Sequence, residues 1–269
     1  MLCKLVVKDG AIIMKKSLLL LLCLFFMFTL DTAAANLQPD EFIPEEIQPL
    51  VQSWQNKGQK TAYLTFDDGP SLNTMPILDI LDKYQVKATF FVMGNEEGYA
   101  DGAYQEMAAR GHTLALHTYS HDYEVVYGSR DKYFADMGLL ENMLKKYGVQ
   151  SRIVRFPGGS RNLAVQRSPK KEVLASIKSE LKKRGYIYFD WDIDSTDGYS
   201  PSVSKQTIVS NVLNGTKDQE QIVILLHDIN SMKNTVRALP EIITGLQAKG
   251  YQFDSINEYT EKVQFGERP

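Results

Sequence analysis

Cysteine is nearly absent from this chain, with only Cys3 and Cys23 in 269 residues. Beyond residue 23 there is no thiol, which excludes a disulfide framework, a cysteine nucleophile and a thiolate metal site there. Charge of either sign is not in excess. A formal net charge of -3 gives no global attraction to nucleic acid or to anionic membranes. Internal repeats and low-complexity tracts are missing too. The one long apolar run, Leu18 to Leu30, falls short of the roughly 20 residues that a membrane-spanning helix needs. Lys15-Lys16 precede it and Ala33-Ala34-Ala35 follow it, the pattern of a secretory leader starting at Met14 and cleaved after Ala35. Leu22 stands before Cys23 where a lipoprotein signal requires a small residue.

What is present is an ordinary globular composition, 43% apolar and 23% charged. The length suits one large α/β domain that is stabilised by its core alone. The expected organisation is a leader at 1–35, a linker rich in Pro, Gln and Glu at 36–59, a catalytic domain at 60–262 and a tail at 263–269. Strand-like runs recur at 61–66, 87–92, 112–117, 152–156, 186–191, 221–226 and 251–255. Segments of helical period lie between them, such as Ile77, Leu78, Leu81 and Tyr84, or Phe134, Met137, Leu140 and Leu144. Pro240 implies that the last helix, marked by Leu239, Ile242 and Leu246, starts late or kinks. This alternation predicts a mostly parallel sheet wrapped by helices, open or closed into an incomplete barrel, with functional groups at the carboxyl ends of its strands.

Four motifs fall at those ends. Thr65-Phe66-Asp67-Asp68-Gly69-Pro70 puts two adjacent carboxylates after a β-prone run, an arrangement that needs a cation or an Arg to offset their repulsion. On a strand the two side chains diverge, so one Asp can serve a metal while the other does different work. His117-Thr118-Tyr119-Ser120-His121 holds two of the four histidines at a spacing that brings imidazoles to one side of a helical turn. Two nitrogens plus Asp68 make the donor set of a catalytic zinc site with room for water. Arg155-Phe156-Pro157-Gly158-Gly159 and Leu225-Leu226-His227-Asp228 complete the set.

Together these stretches resemble the polysaccharide deacetylase family, the carbohydrate esterases with a NodB-type domain. The resemblance covers about residues 60 to 260 and implies a distorted (β/α)7-type barrel. It implies a divalent metal, usually zinc, on Asp68, His117 and His121, with Asp67 as the base that activates water. It makes Arg155 the partner of Asp67, His227 the acid that protonates the departing amine, and Asp194 the residue tuning that His, with Asp197 second. Gly158 would offer its backbone N–H to the oxyanion, and Leu226 would line the acetyl-methyl pocket. Two positions depart from the family pattern. Many members carry Tyr where this chain has Gly158, and Trp where it has Gly198, so the groove is altered. Arg161 and Asn162 are within reach of substrate, while His112 reads as structural and Trp191 as core or sugar platform.

The activity so implied is hydrolysis of N-acetyl groups on an exported substrate, peptidoglycan N-acetylglucosamine first, at the cell envelope. Partners are then an N-acetylated glycan, with no nucleic acid and no membrane span after cleavage. The rivals are an O-acetyl esterase on xylan or a similar polymer, a non-catalytic carbohydrate-binding protein of the same fold, and hydrolysis of a small cyclic amide, which the leader disfavours.

Overall fold

A computed structural model of the chain describes residues 58–217 and 219–266, with two short strands nearer the amino terminus. The chain divides into two units, Met1–Gln48 and Pro49–Pro269. In the first, Val7–Lys8 pairs antiparallel with Ala11–Ile12. The expected leader at 14–35 and the linker through 57 lie outside the described residues.

The second unit is a parallel sheet of eight strands: β1 Thr61–Asp67, β2 Thr89–Val92, β3 Thr113–Leu116, β4 Ile153–Val154, β5 Ile187–Tyr188, β6 Ile193–Asp194, β7 Gln221–His227 and β8 Gln252–Phe253. The order across the sheet is β5-β4-β3-β2-β1-β7-β6, with β8 paired to the start of β1. Seven strands laid flat would separate β5 from β6 by about 29 Å at ~4.8 Å per step. Only residues 189–192 join them, a reach of no more than about 18 Å. The sheet therefore has to curl until its two edges approach, which makes it a barrel left open at that seam. The sequence expectation of a single strand over 186–191 is corrected here: the run breaks after Tyr188, and Ile193–Asp194 starts a separate strand on the opposite edge.

Alternation along each strand sorts the core into two layers. Ala62, Leu64 and Phe66 join Phe90, Leu114, Val154, Ile222, Ile224 and Leu226 in the larger cluster under the helices. Tyr63, Phe91, Ala115, Ile153, Phe189 and Val223 fill the smaller one inside the barrel. The helices pack outside: α1 Thr74–Lys83, α2 Ala100–Ala109, α3 Tyr123–Val126, α4 Arg130–Leu144, α5 Leu163–Gln166, α6 Lys170–Lys183, α7 Lys205–Gly215 and α8 Lys233–Ala248. Ser129 and Ser204 cap α4 and α7 by accepting from Lys132 N–H and Thr207 N–H. α8 does not start late. It begins at Lys233 and runs through Pro240, burying Leu239, Ile242, Ile243 and Leu246.

The tail expected from 263 begins too early. Val263 is buried, its carbonyl accepts from Asp190 N–H at 2.7 Å, and Phe265 N–H donates to the Asp190 carboxylate. These bonds hold residues 263–265 against the domain.

Candidate active site

The two-residue period of the strands aims the candidate residues into one space. Asp67 follows Tyr63 and Thr65 on the inner parity of β1, and His227 follows Val223 and Leu225 on β7, in register with Asp67. His117 lies two residues beyond the inward Ala115, and Arg155 two beyond the inward Ile153. Inner parity at four strand ends thus converges on the barrel mouth. Asp68 has the wrong parity for that space. Its φ of 70° breaks the strand in the left-handed region, which a short polar side chain tolerates, and its carboxylate swings back beside the others.

Asp68 Oδ1 lies 3.4 Å from Nε2 of both His117 and His121, and one ligand atom from each of the three lies within 4.8 Å of the others. The His117 ring is oriented by its Nδ1, which meets the Arg155 carbonyl at 2.9 Å and so carries the proton, leaving the Nε2 lone pair for a ligand. Asp68 Oδ1 is buried without a hydrogen-bond partner. An orphaned carboxylate oxygen facing two imidazole nitrogens is costly unless a cation neutralises it, so these residues fit a divalent metal. Burial raises the Asp68 carboxyl, but His117 and His121 in their protonated forms outweigh burial and hold it far below the ordinary carboxylate range. The histidine pair is not on a helical turn as the spacing suggested. Residues 117–122 form a loop in which Thr118 and His121 take positive φ. The buried carboxylate of Asp136 on α4 accepts from Tyr119 N–H and Ser120 N–H and pins that loop.

Asp67 is held by an arginine with no exposed surface. Arg155 donates to Asp67 Oδ1 at 2.8 Å, to Thr65 Oγ1 at 2.6 Å and to the Phe189 and Asp190 carbonyls, with its guanidinium 4.0 Å from the Phe91 ring centroid. Each of the three guanidinium nitrogens has a partner, and four of its five N–H groups are engaged, which offsets much of the cost of burying the ion pair. Asp67 Oδ2 remains open toward the cluster, 3.8 Å from His117 Nε2.

His227 pairs with Asp197, not Asp194. Its Nδ1 meets Asp197 Oδ1 at 2.8 Å, and its backbone N–H donates to Asp197 Oδ2. Ser195 and Thr235 hydroxyls donate to the same carboxylate, which is buried. Asp194, the residue first favoured from the sequence, turns away: it accepts from Thr196 N–H and from the Tyr199 hydroxyl. Burial disfavours the His227 imidazolium, but the hydrogen bond and charge of Asp197, with Asp67 and Asp68 beyond, lift its pKa to about 9. Gly198 is required by this arrangement, since a Cβ there would sit 2.6 Å from the imidazole. Leu226 is also corrected. It is one residue out of phase with His227 and lies in the helix-side core, so Leu225, on the parity of His227, faces the site.

Around these groups, Gly158 has φ of 72° and its N–H donates no hydrogen bond among the described residues. Asn162 and Tyr123 occupy the space where a side chain on residue 158 would lie. Arg161 packs its guanidinium against Gly266. His112 is structural: its Nδ1 accepts from Ala88 N–H, and burial together with Lys87 pushes its pKa down to about 4, keeping it neutral. Trp191 meets Phe265 edge-on at 4.9 Å. Asp228 was not singled out from the sequence. Fully buried, it binds the hydroxyls of Ser71 and Thr74 at 2.5 Å, and its N–H donates to the Asp67 carbonyl, so it ties down the turn that carries Asp68.

Known proteins share these features. A family model described as polysaccharide deacetylase matches residues 55–173. A peptidoglycan-N-acetylglucosamine deacetylase of Bacillus cereus is 34% identical over 214 residues, 76% of this chain and 72% of that protein. The chain belongs to the polysaccharide deacetylase family. Its described barrel resembles the catalytic domain of peptidoglycan N-acetylglucosamine deacetylase from Eubacterium rectale, with 36% identity, a TM-score of 0.72, and coverage of 77% of this chain and 93% of that one. It also resembles the Xyl-CE4 domain of a multidomain xylanase from the hindgut metagenome of Trinervitermes trinervoides, at 32% identity and a TM-score of 0.61 over 74% of this chain and 88% of that one. The distorted (β/α)7-type barrel that the motifs imply is thus the family fold.

Proposed function

We propose that this polysaccharide deacetylase family member is a metal-dependent hydrolase that removes the N-acetyl group from N-acetylated sugar polymers, peptidoglycan N-acetylglucosamine first among them, and releases acetate. The observation that carries this reading is the meeting of three units at one barrel mouth: the Asp68–His117–His121 cluster with its orphaned oxygen, the Asp67–Arg155 pair and the His227–Asp197 pair. Asp68, His117 and His121 would hold the divalent cation, zinc being the family's usual one. Such a cation acidifies water and polarises a carbonyl.

The remaining work belongs to the chain itself. Asp67 Oδ2 takes a proton from the attacking water while Arg155 fixes Oδ1, so the base cannot rotate away. As the water oxygen bonds to the amide carbon, charge collects on the carbonyl oxygen, and the unspent Gly158 N–H is a donor for it. The C–N bond then breaks, and the sugar nitrogen takes the proton on His227 Nε2. Asp197 holds the opposite nitrogen protonated and keeps the imidazolium populated at neutral pH. The proton gained by Asp67 leaves to solvent and His227 takes one up from solvent, which restores both groups.

Export to the cell envelope rests on the leader pattern at Lys15 to Ala35 and on the nature of a cell-wall substrate. The likeness to the xylanase-linked domain favours a second reading, an O-acetyl esterase on xylan. An ester leaving group needs less protonation, so His227→Ala should lower amide hydrolysis far more than ester hydrolysis, and an equal fall in both removes this argument for the amide. The primary test is acetate release from peptidoglycan, chitooligosaccharides and acetylated xylan by zinc-loaded protein, with Asp67→Asn alongside. Release from an N-acetylated substrate that the Asp67 variant loses supports the reading. Stoichiometric zinc with no release from any of them sinks it in favour of a binding protein.

A further inference from the structure

We infer that the Tyr123 hydroxyl is a hydrogen-bond donor to the carbonyl oxygen of the substrate's acetyl group, beside the Gly158 N–H; this rests on the deacetylase reading above. The starting observation is steric. A Cβ on residue 158 would lie 2.5 Å from the Tyr123 hydroxyl oxygen and closer still to the Asn162 amide. Residue 158 lacks a side chain, and the phenol of another element stands in its place.

The proton on that phenol is unspent. Asn162 Oδ1 accepts from Ala164 N–H and Val165 N–H, which fixes the orientation of the amide. Both protons of its Nδ2 are then committed, one to the Tyr123 oxygen at 2.8 Å and one to the Pro157 carbonyl at 3.3 Å. Tyr123 can only accept in that bond, so its own O–H points elsewhere, and no described residue receives it.

The ring has little freedom to move. It meets Tyr127 edge-on at 5.4 Å, and Tyr127 donates in turn to the Pro157 carbonyl. Its other neighbour is His121, a residue of the candidate metal cluster, at 5.8 Å between centroids. One oriented O–H therefore stands between a metal-binding imidazole and a backbone N–H that also lacks an acceptor. That is the place where the charge of an acetyl oxygen develops, and a donor fixed beforehand is most effective there.

The test is Tyr123→Phe, which removes only the hydroxyl. The expected result is a fall in kcat of about a hundredfold, with KM within about twofold and zinc affinity and unfolding midpoint unchanged. Acetate, the product, should also bind the zinc-loaded variant several-fold more weakly by calorimetry. A kcat within twofold of wild type together with unchanged acetate affinity overturns the proposal. A rise in KM alone also overturns it, because it moves the hydroxyl to sugar binding. Asn162→Ala provides a second reading, since it frees the phenol without removing it. Its loss in kcat should be smaller and non-additive with Tyr123→Phe, and additive losses count against the proposal. If wild type releases no acetate from any glycan, the deacetylase reading fails by itself. The acetate-binding comparison still judges Tyr123 in that case.

Discussion

The two sides of the barrel mouth are built on opposite principles. Around Asp197 every oxygen is satisfied from within: the carboxylate accepts from the His227 ring, the His227 N–H, Ser195 and Thr235. Around Asp68 a carboxylate oxygen without a hydrogen-bond partner faces two imidazole nitrogens at 3.4 Å. The closed side favours a proton on His227, and the open side presents a donor set that fits a cation. Unsatisfied polar atoms, which a structural network avoids, mark where a ligand belongs.

The strongest way to break this contrast acts on the open side. Chelation of the metal should abolish acetate release and readdition of zinc restore it, while Asp68→Ala should weaken zinc binding at least a hundredfold by calorimetry. Unchanged zinc affinity in that variant would place the metal elsewhere. Next in size is Arg155→Met. It strands Asp67 and several acceptors in the interior, so urea unfolding should show a loss of about 3–5 kcal/mol, whereas Thr235→Val on the closed side should cost only about 1 kcal/mol.

The closed side is tested by pH. The raised pKa of His227 means that its imidazolium is fully present below the unfolded value near 6.5 and is lost as pH rises through about 9, and with it both the acid function and its share of stability. A bound cation opposes that charge, so the alkaline limb of kcat in the loaded enzyme lies at or below about 9. In Asp197→Asn the limb should move downward by at least a unit, and an unmoved limb would assign it to another group. The smallest effect is expected of Asp228→Asn. By loosening the Ser71–Thr74 clamp it should weaken zinc binding about tenfold and leave the His227 limb in place. Equal damage to both would show that Asp228 supports the whole mouth rather than the turn bearing Asp68.

Much of this was legible in the chain. Asp67, Asp68, His117, Arg155 and His227 all stand at the ends of apolar runs, with His121 four residues beyond His117, and the strand period alone aims Asp67, His117, Arg155 and His227 inward. The same period held the correction for the acetyl-methyl position. Leu225, two residues before His227, shares its face, whereas Leu226 must face the helices. Other errors had no local remedy. Asp194 and Asp197 are both acidic and three residues apart, and only the left-handed Thr196 and the turn at 197–199 decide which one meets His227. The i, i+4 spacing of the histidines was compatible with a helix, but Asp136, from α4, holds them in a loop instead.

The sequence by itself determined the alternating βα order, the inward parity of four functional side chains and the donor types of a metal site, because these follow from periods of two and 3.6 residues and from side-chain chemistry. Tertiary structure alone decided that the sheet curls until its edges approach, that Asp68 swings back at positive φ, that Asp197 rather than Asp194 meets His227, and that a phenol from α3 fills the space beside Gly158. Each of those depends on groups far apart in the chain being brought within hydrogen-bond distance, and no local period encodes such a meeting.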